Sequence, residues 1–160
     1  MIEALLKTVR IFNKHKIKYC LIGGLAVLLH GGRATTVDID FYVLVGDLKD
    51  LIKTFKSERI HSRPSGNYQV KAKVDNVSID CLYADHYVGK EVLTRAVEKK
   101  LGSQFIRVAT PEDLIVLKTL ADRSIDRRDI EELRELFGKK LDEKYIEKKL
   151  RQLKNGLKES

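Results

Sequence analysis

Two periods of apolar and polar residues alternate along this chain, and each switch between them marks an element. Leu5, Leu6, Val9 and Phe12 recur at helical spacing over residues 2–15. Lys18–Ile22 is a short apolar run that reads as a strand ending at Gly23-Gly24. Leu25–His30 predicts a helix, stopped by Gly31-Gly32. Val37–Val45 predicts a strand, and Asp47 is placed to cap a helix running to about Ser57. Residues 59–63 read as a further short strand. Tyr68, Val70, Ala72 and Val74 alternate with Gln69, Lys71 and Lys73, the period-2 pattern of a half-buried strand. Asp75-Asn76 is a tight-turn signal, so Val77–Tyr83 returns as the second strand of a hairpin.

Residues 86–99 predict a helix and Gln104–Val108 a short extended piece. Thr110-Pro111-Glu112-Asp113 opens the next helix, with Thr110 as cap and Pro111 in the first turn, and the helix runs to about Ala121. Two more helices follow near 126–137 and 142–156. The expected class is α/β with α+β character: a small mixed sheet flanked by helices, then a helical C-terminal third. No internal repeat, low-complexity stretch or Pro/Gly/Ser-rich linker interrupts the pattern.

Length adds that the 160 residues form one domain, 1–160, with a core over about 17–100 and a helical part over about 110–156. No apolar run approaches the roughly 20 residues of a membrane span. The N-terminal segment carries Glu3 and lacks a cleavage site of small residues, so it is not a signal peptide, and a cytoplasmic protein is expected. Cys20 and Cys81 lie in apolar runs and read as buried free thiols. A charged fraction of 34%, rich in Lys and Glu, fits a thermophile protein as a compositional hint. The net charge of +8 favours anionic substrates or a nucleic-acid partner. Lys99, Lys100, Lys139 and Lys140 carry part of that excess, which also fits a solvated basic helix face.

The chemistry concentrates in residues 19–43. A strand running through Gly23-Gly24 into a helix lets the backbone come close to a phosphate, although an ordinary tight turn has the same sequence. In Val37-Asp38-Ile39-Asp40-Phe41, side chains two apart share a face. Asp38 and Asp40 therefore point one way, while Val37, Ile39 and Phe41 pack behind. Two carboxylates held together on a strand repel each other, and Mg²⁺ binding removes that cost. A third acid, Asp80, sits in the apolar strand Val77–Tyr83. If that strand lies beside Asp38 and Asp40, three carboxylates converge, enough for two metal ions.

Ile22-Gly23-Gly24, thirteen residues, then Asp38-Ile39-Asp40 resembles the signature of the polymerase-beta-like nucleotidyltransferase superfamily, with Asp80 where its third carboxylate is expected. His30-Gly31, Arg33 and Thr36-Val37-Asp38-Ile39-Asp40 resemble its AbiEii-toxin-like branch, with Arg33 one residue upstream of the branch's position. Lys118 followed by Asp126 and Asp129 is similar to a further element of that branch. The resemblance covers about residues 19–135 and implies a nucleotidyltransferase fold. It implies an enzyme with Asp38, Asp40 and Asp80 as catalytic residues and ligands of two Mg²⁺ or Mn²⁺ ions. It implies nucleotide binding by Gly23, Gly24, Arg33 and Lys118, with support from Thr36, Asp126 and Asp129. The reaction it implies is transfer of an NMP from an NTP to a hydroxyl acceptor; RNA or tRNA is the acceptor expected, an antitoxin-type protein is a candidate partner, and no membrane is expected.

Rival readings are open at this point. The acceptor is alternatively a small molecule of aminoglycoside type or a protein hydroxyl. A non-catalytic nucleotide-binding module on the same fold would be signalled by a missing carboxylate, and all three are present. By themselves Lys118, Lys71 and Lys73 read as solvated lysines, Asp126 and Asp129 as N-terminal residues of a helix, and His30 as packing against the sheet end.

Overall fold

The computed structural model describes residues 1–84 and 87–159. Helix α1 (Ile2–Lys14) buries Leu5, Val9 and Phe12 on one face. Strand β1 (Lys18–Ile22) runs into helix α2 (Gly23–Leu29), which begins two residues earlier than the apolar pattern implies. Gly31, at φ +100°, ends it. Strand β2 (Asp38–Leu44) follows, then helix α3 (Leu48–Ser57), where the Asp47 carboxylate accepts from the Lys49 amide at 2.8 Å.

Strand β3 (Ser62–Pro64) starts later than the expected 59–63, because Arg59 takes a left-handed turn, φ +60°, at the end of α3. Strands β4 (Gln69–Val74) and β5 (Val77–Tyr83) form the expected hairpin. Both turn residues, Asp75 and Asn76, have positive φ, as a two-residue primed turn requires.

The expected helix over 86–99 is corrected. Helix α4 spans Tyr87–Arg95, and Val97–Leu101 is strand β6; residue 86 lies outside the described residues. Gly102, at φ +62°, turns β6 back onto β7 (Gln104–Val108), so Val97 pairs with Val108. That pairing depends on a downstream strand, which helical periodicity read locally does not see. Helices α5 (Pro111–Ala121), α6 (Ser124–Phe137) and α7 (Glu143–Glu159) complete the chain. The Thr110 hydroxyl accepts from the Asp113 amide, the expected cap.

Among the described residues the strands form one mixed sheet of seven, in the order β3-β4-β5-β2-β1-β7-β6. It is larger than the small sheet expected, because β6 and β7 extend its edge. β2 runs parallel to β5 and antiparallel to β1. One face buries an aromatic group in which Phe12 lies 5.1 Å from Phe41 and 5.4 Å from Tyr19, ring centre to ring centre. On the other face α2 rests on β1 and β2, and α5 packs on α2, α6 and α7. Cys20 and Cys81 are buried free thiols. Among the described residues no helix is long and apolar enough to cross a membrane.

Candidate active site

The start of β2 is set by Thr36. Its hydroxyl donates to the Asp38 carbonyl at 2.8 Å and stands 3.3 Å from the Asp38 amide. From there Asp38 and Asp40 are half-buried on one face, with Ile39 and Phe41 fully buried behind. Val37 does not pack behind them as expected: it precedes the strand and is 77% exposed.

Register then collects the polar groups. In the parallel pair of β2 and β5, Asp38 stands beside Ser78 and Asp40 beside Asp80. In the next pair Asp80 stands beside Lys71, and Ser78 beside Lys73. Neighbours across strands share a face, about 4.8 Å apart. Asp38, Asp40 and Asp80 are therefore on one face, with Asp40 and Asp80 side by side. Lys71 Nζ lies 3.7 Å from Asp80 Oδ1, so this lysine is engaged with an acid, whereas Lys73 is exposed.

Gly23 is the other half of the arrangement. Its φ is +71°, and a Cβ there would fall 2.4 Å from Asp40 Oδ2. Only a residue without a side chain lets the β1–α2 junction lie against this carboxylate. A Cβ on Gly24 would fall 3.0 Å from Thr36 Cβ, so Gly24 gives Thr36 the room it uses to hold Asp38. Gly23→Ala is expected to displace the Asp40 carboxylate and to strain the left-handed backbone by about 1–2 kcal/mol. The check is the activity of the site beside thermal unfolding: activity should fall by about 100-fold or more while the protein still folds. A fully active Gly23→Ala would remove the significance given to this contact.

The electrostatics agree with the crowding. Burial first, then the charges of Asp80 and Asp38, push the Asp40 carboxyl up to about 6, opposed by the cations Lys118 and Arg123. Lys118, expected as a solvated helix lysine if it had no role, is buried between α5 and α6. Its Nζ lies 2.6 Å from Asp129 Oδ2 and 3.4 Å from Asp126 Oδ1. Asp126 also accepts from the Arg123 amide at 3.2 Å and from the Arg123 guanidinium at 2.6 and 3.1 Å, closing the first turn of α6.

Arg33 is not drawn into the group: its side chain is exposed, and its amide donates to Glu132 at 2.8 Å. His30 packs at the sheet end as read from the sequence, with Nε2 2.8 Å from the Ala109 carbonyl. Arg123 is the residue that sequence reasoning missed. Its side chain is 71% exposed, and it acts electrostatically on Asp40. It lies five positions after Lys118, and no spacing rule marks it.

The donors fit a hard divalent cation. They are all carboxylate oxygens, and mutual repulsion, not apolar packing, is what they supply to one another. Among the described residues no three His, Cys, Asp or Glu side chains are grouped so that they could hold a metal ion by themselves. Mg²⁺ seldom uses such a group: it takes one or two carboxylates and completes its shell with water and substrate phosphate.

The family described as "Nucleotidyl transferase of unknown function (DUF2204)" matches residues 1–159. No curated protein matches the chain. Among solved structures, the chain is similar to ANT(2″)-Ia in complex with adenylyl-2″-tobramycin: TM-score 0.70, 15% identity, covering 98% of this chain and 99% of that one. It is similar to the lincosamide antibiotic adenylyltransferase LnuA, bound to lincomycin: TM-score 0.66, 15% identity, covering 85% and 98%. It is also similar to an antigenic nucleotidyltransferase-like protein from Paracoccidioides brasiliensis: TM-score 0.57, 20% identity, covering 92% and 85%. At these identities the likeness is one of fold.

Proposed function

The chain belongs to this family of nucleotidyl transferases, and from that premise we propose that it transfers an NMP from an NTP to a hydroxyl, using Asp38, Asp40 and Asp80. The observation that supports this reading is the cross-strand row of Asp40 and Asp80, with Asp38 two residues along and Gly23 against the Asp40 carboxylate. Asp38, Asp40 and Asp80 would hold two Mg²⁺ or Mn²⁺ ions, whose chemistry is to neutralise phosphate charge and to acidify the attacking hydroxyl.

The chain's own part is positioning. Asp80, on the neighbouring strand, orients the acceptor hydroxyl and receives its proton. Gly23 and Gly24 keep the backbone bare, so that the β and γ phosphates can approach their amides. Arg123, exposed and cationic, meets the outer phosphates. Lys118 contributes positive potential felt at Asp40, held by Asp126 and Asp129, and Thr36 fixes the start of the Asp38 strand. The pyrophosphate leaves on the side of these cations. The domain is read as one unit over 1–160, with the catalytic sheet and the helical third contributing to the same site.

For the acceptor we favour an RNA end with a free 3′ hydroxyl, supported by the net charge of +8. A second reading, transfer to a small aminoglycoside-type hydroxyl, is favoured by the nearly complete overlap of this chain with ANT(2″)-Ia. The test is incubation with each labelled NTP and Mg²⁺, with total tRNA or an aminoglycoside panel, and binding of tRNA across a salt series. RNA should accept label, and its affinity should fall steeply with salt, because each neutralised phosphate releases counterion. Flat, weak RNA binding with label on a small molecule would overturn the RNA acceptor and leave the carboxylate assignment standing. No label on any acceptor with any NTP would overturn the transferase reading itself.

A further inference from the structure

At the end of β1 and β2 remote from the carboxylates lies a cleft of about 660 Å³, within the range of small-molecule sites. Ile17, Leu44 and Leu93 give it apolar walls, with the buried rings of Phe12 and Tyr19 behind them. Lys16, Lys18, Lys90 and Arg107 stand around it, and none of its described lining residues is Asp or Glu. Lys18 pairs with Leu44 at this end of the strands, whereas Ile22 pairs with Asp40 at the other. Four residues of strand separate the two ends by about 13 Å. A molecule in the cleft would therefore not rest on the carboxylates.

Charge and shape coincide at this cleft. Some exposed cations are matched with acids, as Lys7 is with Asp75, Lys14 with Glu58 and Arg127 with Asp122. Others, such as Lys49, Lys53 and Lys73, are exposed with no acid at ion-pair distance among the described residues. Here cations of the second kind flank an apolar hollow. Lys16 and Lys18 are exposed, and among the described residues neither has an acid at ion-pair distance. Arg107 is held in the wall, its guanidinium donating to the Leu93 and Ala96 carbonyls at 3.3 and 3.0 Å. Lys16 itself sits at φ +55°, a left-handed position that Gly or Asn would take at lower cost. A concave, partly apolar site ringed by one sign of charge focuses its potential inward.

We propose that this cleft binds a small amphipathic anion: an apolar body against Ile17, Leu44 and Leu93, with a phosphate or carboxylate head facing Lys16 and Lys18. The proposal stands on this cleft alone and is independent of the transferase reading. The test is titration calorimetry of the full chain with 1-naphthyl phosphate, 1-naphthol and 1-naphthylmethylamine, which share one apolar body. The phosphate should bind one to one, at least about tenfold more tightly than the alcohol, and the amine should not bind measurably. Lys16→Glu with Lys18→Glu should weaken the phosphate by at least about tenfold without lowering the melting temperature, and Asp40→Asn should leave its affinity unchanged. Equal affinity for phosphate and alcohol, or no binding of the phosphate, would overturn the proposal. So would displacement of the phosphate by Mg²⁺–ATP, or unchanged binding in the lysine variant, since each puts the probe elsewhere.

Discussion

Asp40→Asn should abolish nucleotide transfer and, in the same protein, raise the melting temperature measured without metal. The two effects share one cause. The Asp40 carboxylate is half-buried, Gly23 presses against it, and Asp38 and Asp80 add like charge on the same face. That environment holds its carboxyl at about 6, against an ordinary value near 3.8, so at pH 7 the fold carries an ionised group it disfavours. After allowance for solvent screening, its removal is worth on the order of 1–2 kcal/mol, or a few °C for a chain of this size. The same repulsion is what a divalent cation relieves. Mg²⁺ with NTP should therefore stabilise the wild type, by about 2.7 kcal/mol at 100 times Kd, and should do little for Asp40→Asn. Activity should drop by on the order of 10³-fold or more, the several kcal/mol that charge neutralisation at phosphate supplies. A variant that gains no metal-free stability, or that responds to Mg²⁺–NTP as the wild type does, would place the cation elsewhere. A stabilised, metal-insensitive variant with full activity would leave the carboxylate cluster real and its catalytic role wrong.

The parts of this arrangement that were legible in the sequence are those written by local rules. Side chains two apart on a strand share a face, so Asp38 and Asp40 could be paired without knowing the fold. Asp47 and Thr110 cap the helices they precede, and Asp75-Asn76 turns a hairpin, because each acts within a few residues of itself. Asp80 was reachable only conditionally: its place beside Asp40 depends on a parallel pairing of strands about forty residues apart, which no local pattern encodes. The β6 strand was misread for the same reason, since its partner is the strand after it. Lys118 shows the limit most clearly. Its composition and helical setting describe a solvated lysine; its burial follows from two acids on the next helix, brought under it by the α5–α6 turn at Asp122, φ +51°. Arg123 belongs to that turn as well, and its approach to Asp40 follows from how the helical third leans on the sheet. The chemistry was thus visible on the strand; of the cations that oppose its charge, Lys118 was singled out only through the family resemblance and Arg123 not at all.

Lys118→Met should cost stability out of proportion to a single helix substitution, about 3 kcal/mol or more. Lys118 is 6% exposed and Asp129 5%, and they meet at 2.6 Å. Removing one member of a buried ion pair leaves the other as an uncompensated charge, which costs about 3–5 kcal/mol. Asp126 is less affected, because the Arg123 guanidinium holds both of its oxygens. The orphan is Asp129, and this yields a test that a general packing defect would fail. Asp129→Asn in the Lys118→Met background should restore most of the loss, because a neutral amide next to an apolar side chain carries no buried charge. For a protein of this length the single variant should melt roughly 6–12 °C lower and the double variant within a few °C of wild type. The double variant also separates fold from function. It keeps the α5–α6 junction but removes a cation whose charge acts on Asp40, so its transfer activity should remain depressed although its melting temperature recovers. Recovery of both would make Lys118 purely structural, and recovery of neither would mean that packing of its aliphatic stem, not charge, holds the two helices together.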